Sequence, residues 1–264
     1  MADTVALSRV DEASVPDQRL RTPGKRTLVG WLGMPVFLVV MCTATYLWIQ
    51  NRELDTIETR TLTGTVLRQR LVEHIELVAV STVIVVLISI PLGIILTRPF
   101  ARRGVPFVLA IANAGQAIPS LGLITILVFS LGVGFDSVII GLVAYSALPI
   151  LRNTMVGLEQ VDQTLIKASR GMGMSKAKIL FSVELPLAIP VMIAGIRTAL
   201  IINVGTATLA QFFGAGGLGA IIFTGIGLQR SPVIIVGVVM VSALALLVSY
   251  LADTAGYLLS PKGL

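Results

Sequence analysis

The sequence predicts an all-α integral membrane protein of about six transmembrane helices, with both termini on the cytoplasmic side. Three observations predict it. Of 264 residues, 55% are hydrophobic and only 13% charged, whereas an average soluble domain carries about 25% charged residues. The apolar residues gather into blocks of roughly 20, the helical length that crosses a hydrocarbon layer of ~30 Å. The basic residues fall mostly on one side of those blocks.

Taken in order, residues 1–26 are polar and of mixed charge and read as a cytoplasmic tail. The first span runs from Leu28 to Ile49. Its apolar stretch exceeds a signal-peptide core, and no small-residue cleavage site follows. Cys42, the single cysteine, lies in this span, so no intrachain disulfide forms. With the loop that follows it, extracytoplasmic in this arrangement, this span makes up residues 27–72. Residues 73–258 form the core, with the second span from Leu77 to Leu96, the third from Val105 to Ser130 and the fourth from Ser137 to Leu151. GVGFD (Gly132 to Asp136) is the turn between the third and fourth, and Pro119 bends the third. The fifth runs from Leu187 to Leu209 and the sixth from Val233 to Leu251 or a little beyond. Residues 259–264 are a short C-terminal tail.

Orientation follows because positively charged loops stay on the cytoplasmic side. An N-in arrangement places Arg9, Arg19, Arg21, Lys25, Arg26, Arg98, Arg102, Arg103, Arg152, Lys167, Arg170, Lys176, Lys178 and Lys262 inside. Only Arg52, Arg60, Arg68, Arg70 and Arg230 stay outside, while Arg197 lies within a span. The net charge of +6 is therefore a topology signal. No nucleic-acid partner is expected, since the basic residues sit at span ends without interleaved aromatics.

Enzyme chemistry finds little to stand on. One His, one Cys and acids mostly in loops leave no catalytic cluster and no metal site. Gly24-Lys25 is the sole Gly-Lys pair and lacks a phosphate-binding loop around it. GAGGLG (Gly214 to Gly219) satisfies G-x-G-x-x-G, but it follows a membrane span and has no acid about 20 residues downstream. Those glycines are read instead as letting a short extracytoplasmic segment, Ala220 to Leu228, fold back and pack closely. No cofactor is expected in this chain, and energy has to come from a partner.

One interruption of the apolar sequence stands out, KASRGMGMSKAKILFSVELP from Lys167 to Pro186, within a cytoplasmic loop of residues 159–186. Asp162 to Ser169 is helix-compatible, and Gly171 and Gly173 permit a tight or left-handed turn. Ser175 is placed to N-cap a second short helix, Lys176 to Val183, with apolar Ala177, Ile179, Leu180 and Val183 among polar neighbours. Pro186 ends that helix or opens the next. The expected product is a compact, partly apolar knuckle beyond the membrane.

This segment resembles the cytoplasmic loop of permease subunits of binding-protein-dependent ABC importers. That loop reads Glu-Ala-Ala, then Gly, then Ile-x-Leu-Pro. Lys167, Ala168, Ser169, Gly173, Val183, Leu185 and Pro186 match it without a gap, with Lys167 in place of the acid and Ser169 in place of an alanine. NAGQAIPSLGLI (Asn113 to Ile124), GIRTALIINVGTATLAQFFGAGGLG (Gly195 to Gly219) and SALPILRNTMVGL resemble the osmoprotectant branch, whose members import glycine betaine, carnitine, choline or proline. The resemblance covers about His74 to Asp253. It implies a type I importer permease fold in the cell membrane. It also implies a knuckle that docks on a separate ATPase binding ATP, a second permease chain (a copy or a sister) and an extracytoplasmic substrate-binding protein. Lys167, Ala168, Ser169, Gly171, Gly173, Val183, Leu185 and Pro186 are then the coupling residues. A permease for another solute such as an amino acid is the alternative, and an ion-coupled secondary transporter the second.

Polar residues inside spans usually face a bundle interior or a water-filled cavity. Asn113, Gln116 and Ser120 in the third span and Asn203, Thr206 and Gln211 in or just beyond the fifth are therefore candidates for a translocation path. Interhelical hydrogen bonding is the other reading. Arg197, about 15 Å into the fifth span from Pro186 at 1.5 Å per residue, needs a partner. Asp253 is the candidate.

Overall fold

A computed structural model describes residues 28–260, with side chains from Trp31. The tails and the basic residues assigned to them, Arg9, Arg19, Arg21, Lys25, Arg26 and Lys262, lie outside the described residues. Among the described residues eleven α-helices follow one another: α1 Leu28–Gln50, α2 Thr56–Thr61, α3 Gly64–Leu96, α4 Val105–Ala117, α5 Ser120–Leu131, α6 Phe135–Glu159, α7 Gln163–Gly171, α8 Lys176–Ile179, α9 Leu185–Thr206, α10 Gly219–Gly227 and α11 Ser231–Leu259. A π-helical turn, Leu180–Glu184, joins α8 to α9, and a 3-10 stretch, Ala207–Phe213, extends α9. Among the described residues, five helices are long and apolar enough to cross a membrane, and six spans result if α4 and α5 count as one bent pair.

The fourth span runs on to Glu159, eight residues past Leu151, and the larger departures from the sequence expectation are in the second and third. The second span begins at Gly64 rather than Leu77, giving a 33-residue α3, about 50 Å long at 1.5 Å per residue. Its first turns carry Arg68, Arg70 and Glu73, which an apolar-block criterion rejects although they are good helix formers. The third span is broken: α4 and α5 meet at 101°. Ile118 adopts extended backbone (φ −73, ψ 131), as a residue preceding proline must, because the Pro119 ring crowds the helical region. At about 20 Å or less, neither half crosses the hydrocarbon layer alone.

The centre of the bundle is α6 packed between α3 and α9. Small residues let it approach α9 closely. A Cβ on Gly195 would lie 2.8 Å from the Pro149 carbonyl oxygen, and one on Gly157 3.1 Å from that of Ala188. Such small-residue contacts bring membrane helices together where lipid supplies no hydrophobic drive. The largest core cluster gathers Leu77, Ile124, Leu142, Val204, Leu218 and Ile221 from α3, α5, α6, α9, α10 and the loop before α10. α1 lies outside this centre, against α11, where the Tyr250 hydroxyl donates to the Trp31 carbonyl at 2.9 Å.

Candidate functional site

The cytoplasmic knuckle is built from its caps inward. Asp162 caps α7, its carboxylate accepting from the Thr164 amide at 2.7 Å, and that bond holds the Asp162 pKa below the usual carboxylate value. The cap is present at neutral pH and is lost as acidification reaches that lowered pKa. At the far end of α7, the Gly173 amide donates to the Arg170 carbonyl at 2.9 Å and the Met174 amide to that of Ser169 at 3.1 Å. Gly173 sits at φ +80. This is a Schellman ending with glycine at the left-handed position. Gly171, expected to share in the turn, is instead the last residue of α7, because one left-handed residue suffices to reverse the chain.

Ser175 caps α8, its hydroxyl accepting from the Lys178 amide at 3.3 Å. The second short helix does not run on to Val183 as a plain α-helix. The Leu185 amide reaches back to the Leu180 carbonyl, five residues away. Pro186 explains the widening, since its ring would collide with the carbonyl four residues earlier in an α-helix and it has no N–H to offer. Pro186 thus opens α9 without ending the rod, and residues 176–213 form one continuous 38-residue helical element. Val161, Ile166 and Ile179 are buried together, with Met174, Val183 and Leu187 packed on them. Ser169 is buried, and its hydroxyl donates to the Leu165 carbonyl at 2.8 Å. Outward the knuckle shows Lys167 and Ala168 together with apolar Met172 and Phe181, which are 74% and 69% exposed. Val183, Leu185 and Pro186 are half-buried on the inner side.

One side chain of this region, absent from the sequence candidates, makes a cross-helix contact. Glu184, in the π turn, is buried. Its two carboxylate oxygens accept from Arg98, just beyond α3, at 2.5 and 3.4 Å. Deeper in, Arg197 donates to Asp253 at 2.9 Å and to the Ser249 hydroxyl at 2.8 Å, tying α9 to α11.

The polar span residues separate by environment. Asn113 is exposed and accepts from Arg152 at 2.9 Å, while Gln116 donates to the Tyr145 carbonyl at 3.0 Å, so both lean from α4 toward α6. Ser120 starts α5, beyond the break. Asn203 is fully buried, and its amide nitrogen donates to Ser81 and Thr82 of α3 at 3.1 and 3.2 Å. Its amide nitrogen is thus taken up between two helices, while its oxygen is buried without a hydrogen-bond partner, and the side chain does not face open space. Thr206 ends α9 and Gln211 lies in the 3-10 stretch, both half-buried. Asn203→Leu is therefore expected to lower thermal stability by roughly 1 kcal/mol, the scale of such bonds in membranes, with uptake retained. Gln116→Leu, on the half-exposed side, is expected to reduce uptake in the assembled complex. Uptake and thermal inactivation measured on both variants check this.

On the extracytoplasmic side, two neighbours of α3 hold the glycine loop. Glu73 Oε2 accepts from the Gly217 amide at 2.9 Å, and His74 Nδ1 accepts from the Leu218 amide at 3.2 Å. The other ring nitrogen of His74 lies 3.1 Å from the Val204 carbonyl, so Nε2 carries the proton. Gly216 makes room for this, since a Cβ there would meet Glu73 Oε2 at 2.3 Å. The chain's only histidine at an apolar-span border was the available sequence signal. It did not point to a partner 144 residues away.

Residues 89–262 match the family described as the binding-protein-dependent transport system inner membrane component. The chain belongs to this family. It is a multi-pass inner-membrane permease subunit of an ABC importer, which works with ATPase and substrate-binding partners and is itself no enzyme. The permease is 42% identical over 192 residues to the choline transport system permease protein OpuBB of Bacillus subtilis, covering 73% of this chain and 88% of the relative. It is 40% identical over 225 residues to the osmoprotectant import permease protein OsmY of Salmonella typhimurium, covering 85% and 94%. Among solved structures, it is similar to a chain of the MetNI methionine ABC transporter in an inward-facing conformation, with TM-score 0.64 and 26% identity over 74% of this chain and 96% of that one. The permease fold is accordingly that of a type I importer.

Proposed function

We propose that this permease carries osmoprotectants of the choline and glycine betaine class into the cell, in a complex with a second permease chain, ATPase subunits that bind ATP, and an extracytoplasmic binding protein. The observation that carries the substrate class is the roughly 40% identity to choline and osmoprotectant permeases over most of the chain, well above the 26% to the methionine transporter. Few aromatics occur in the chain, 6% in all. A quaternary ammonium is best gripped by an aromatic cage, so selection falls to the binding protein and the permease passes the solute along.

The knuckle is the ATPase docking element. Its caps and its small core hold Lys167, Ala168, Met172 and Phe181 toward the cytoplasm as a firm surface, and its continuity with α9 carries displacement into the bundle. Lys167 has no ion-pair partner among the described residues, so Lys167→Glu is expected to change ATPase affinity by under about 1 kcal/mol, as exposed charges do. Co-purification of the ATPase with the variant checks it. For the substrate class, vesicles from cells expressing the whole transporter should accumulate choline, glycine betaine, carnitine or proline. Accumulation of methionine with none of these would overturn the proposal.

A further inference from the structure

We propose that Arg98 and Glu184 are positioning residues for coupling, and that with Glu73 and His74 they make α3 a second connection, parallel to α9, between the knuckle and the extracytoplasmic glycine loop. This rests on the knuckle's role in coupling. The helical element of residues 176–213 runs from the knuckle to that loop. α3 runs alongside it in the opposite direction and is fastened to it at both ends. At the cytoplasmic end, the Arg98 guanidinium meets Glu184 in a two-pronged ion pair. Such a fork fixes orientation as well as distance. Glu184 is buried, and an acid there without its cation carries an uncompensated charge.

Some 24 residues earlier, about 36 Å along the helix, His74 is bonded to both Val204 and Leu218, and Glu73 to Gly217. Between these ends, Asn203 bonds Ser81 and Thr82. The cytoplasmic half of α3 is also held by packing. Ile90 and Ile94 lie against Leu158, Ala188 and Met192, and a Cβ on Gly93 would lie 2.8 Å from Thr154 of α6. The latch sits in the π turn, which breaks the regular bond ladder where the rod leaves the knuckle. Single-turn π segments often mark functional positions. Without Arg98, the knuckle could rotate about that turn while α3 stayed in place.

The test uses the whole transporter, with its ATPase and binding protein, in proteoliposomes, reading solute taken up per ATP hydrolysed. R98E and E184R each leave one charge of the pair uncompensated and are expected to lower that ratio roughly tenfold, and R98E/E184R is expected to restore most of it. Wild-type ratios in both single variants, or a swap that restores nothing, would overturn the latch. H74F is expected to lower the ratio as well, and an unchanged ratio would overturn the outer half of the proposal.

Because a single charge reversal can also impair assembly, a second measurement uses the intact pair. Spin labels at Arg102 and Lys178, in a Cys42→Ser background, should keep their separation within about 2 Å between nucleotide-free and ATP-bound states, the scale of a small helix shift. A larger change would show that α3 and the knuckle move apart. Gly173→Val removes neither the Arg98–Glu184 pair nor the Glu73 and His74 contacts and tests the knuckle itself. A wild-type ratio there overturns the underlying reading, whereas loss there with wild-type latch variants overturns this proposal alone.

Discussion

Gly173→Val is expected to uncouple ATP hydrolysis from uptake while the spans still insert. The effect arises wholly in the backbone, because a Cβ at Gly173 would meet nothing within 4 Å. Gly173 holds φ +80, a conformation that costs an L-residue about 1 to 2 kcal/mol and a β-branched one more. If valine leaves that region, the bonds from Gly173 to Arg170 and from Met174 to Ser169 go with it, each contributing about 1 kcal/mol. The turn reopens, and α8 no longer lies against Val161 and Ile166. Gly173→Asn is the control, since asparagine tolerates the left-handed region, and it should retain most uptake. Uptake per ATP and ATPase co-purification on both variants check the contrast.

Gly219→Ala is expected to have the largest effect on stability. A Cβ there would lie 1.8 Å from the Thr208 carbonyl oxygen. The obstacle is backbone, so no rotamer change relieves it, and α10 must separate from the 3-10 stretch that extends α9. Overpacking of this kind costs about 3 kcal/mol or more. The variant should give little folded complex and inactivate at markedly lower temperature. Gly227→Ala, eight residues on and with nothing within 4 Å of its Cβ position, should be close to neutral. Detergent-solubilised yield and thermal inactivation curves separate the two.

How far the sequence could be read followed from what each feature depends on. The spans were legible because hydrophobicity over some 20 residues is a local quantity, and the first ends within a residue of its expected limit at Gln50. The extension of α3 to Gly64 was not, because its polar turns are fastened partly by partners far along the chain, Gly217 on Glu73 and Leu218 on His74. Pro119 announced a bend in the third span, but its angle depends on how α4 and α5 each pack on α6. The Ser175 cap could be placed from the residue type and the run that follows it, whereas the π turn needed the carbonyl geometry ahead of Pro186. Arg197 and Asp253 lie in apolar surroundings where each needs a counter-charge. Arg98 and Glu184 lie at span ends where water could serve as well, and so gave no such signal.

In our reading this chain is the membrane path of an importer driven by ATP through the knuckle. The most direct test is glycine betaine or choline uptake into proteoliposomes holding permease, ATPase and binding protein, with ATP supplied on the knuckle side and the proton and sodium gradients collapsed. The predicted result is accumulation that continues under collapsed gradients, stops when ATP is withheld and is lost in Gly173→Val. Accumulation that needs an ion gradient and continues without ATP would contradict it.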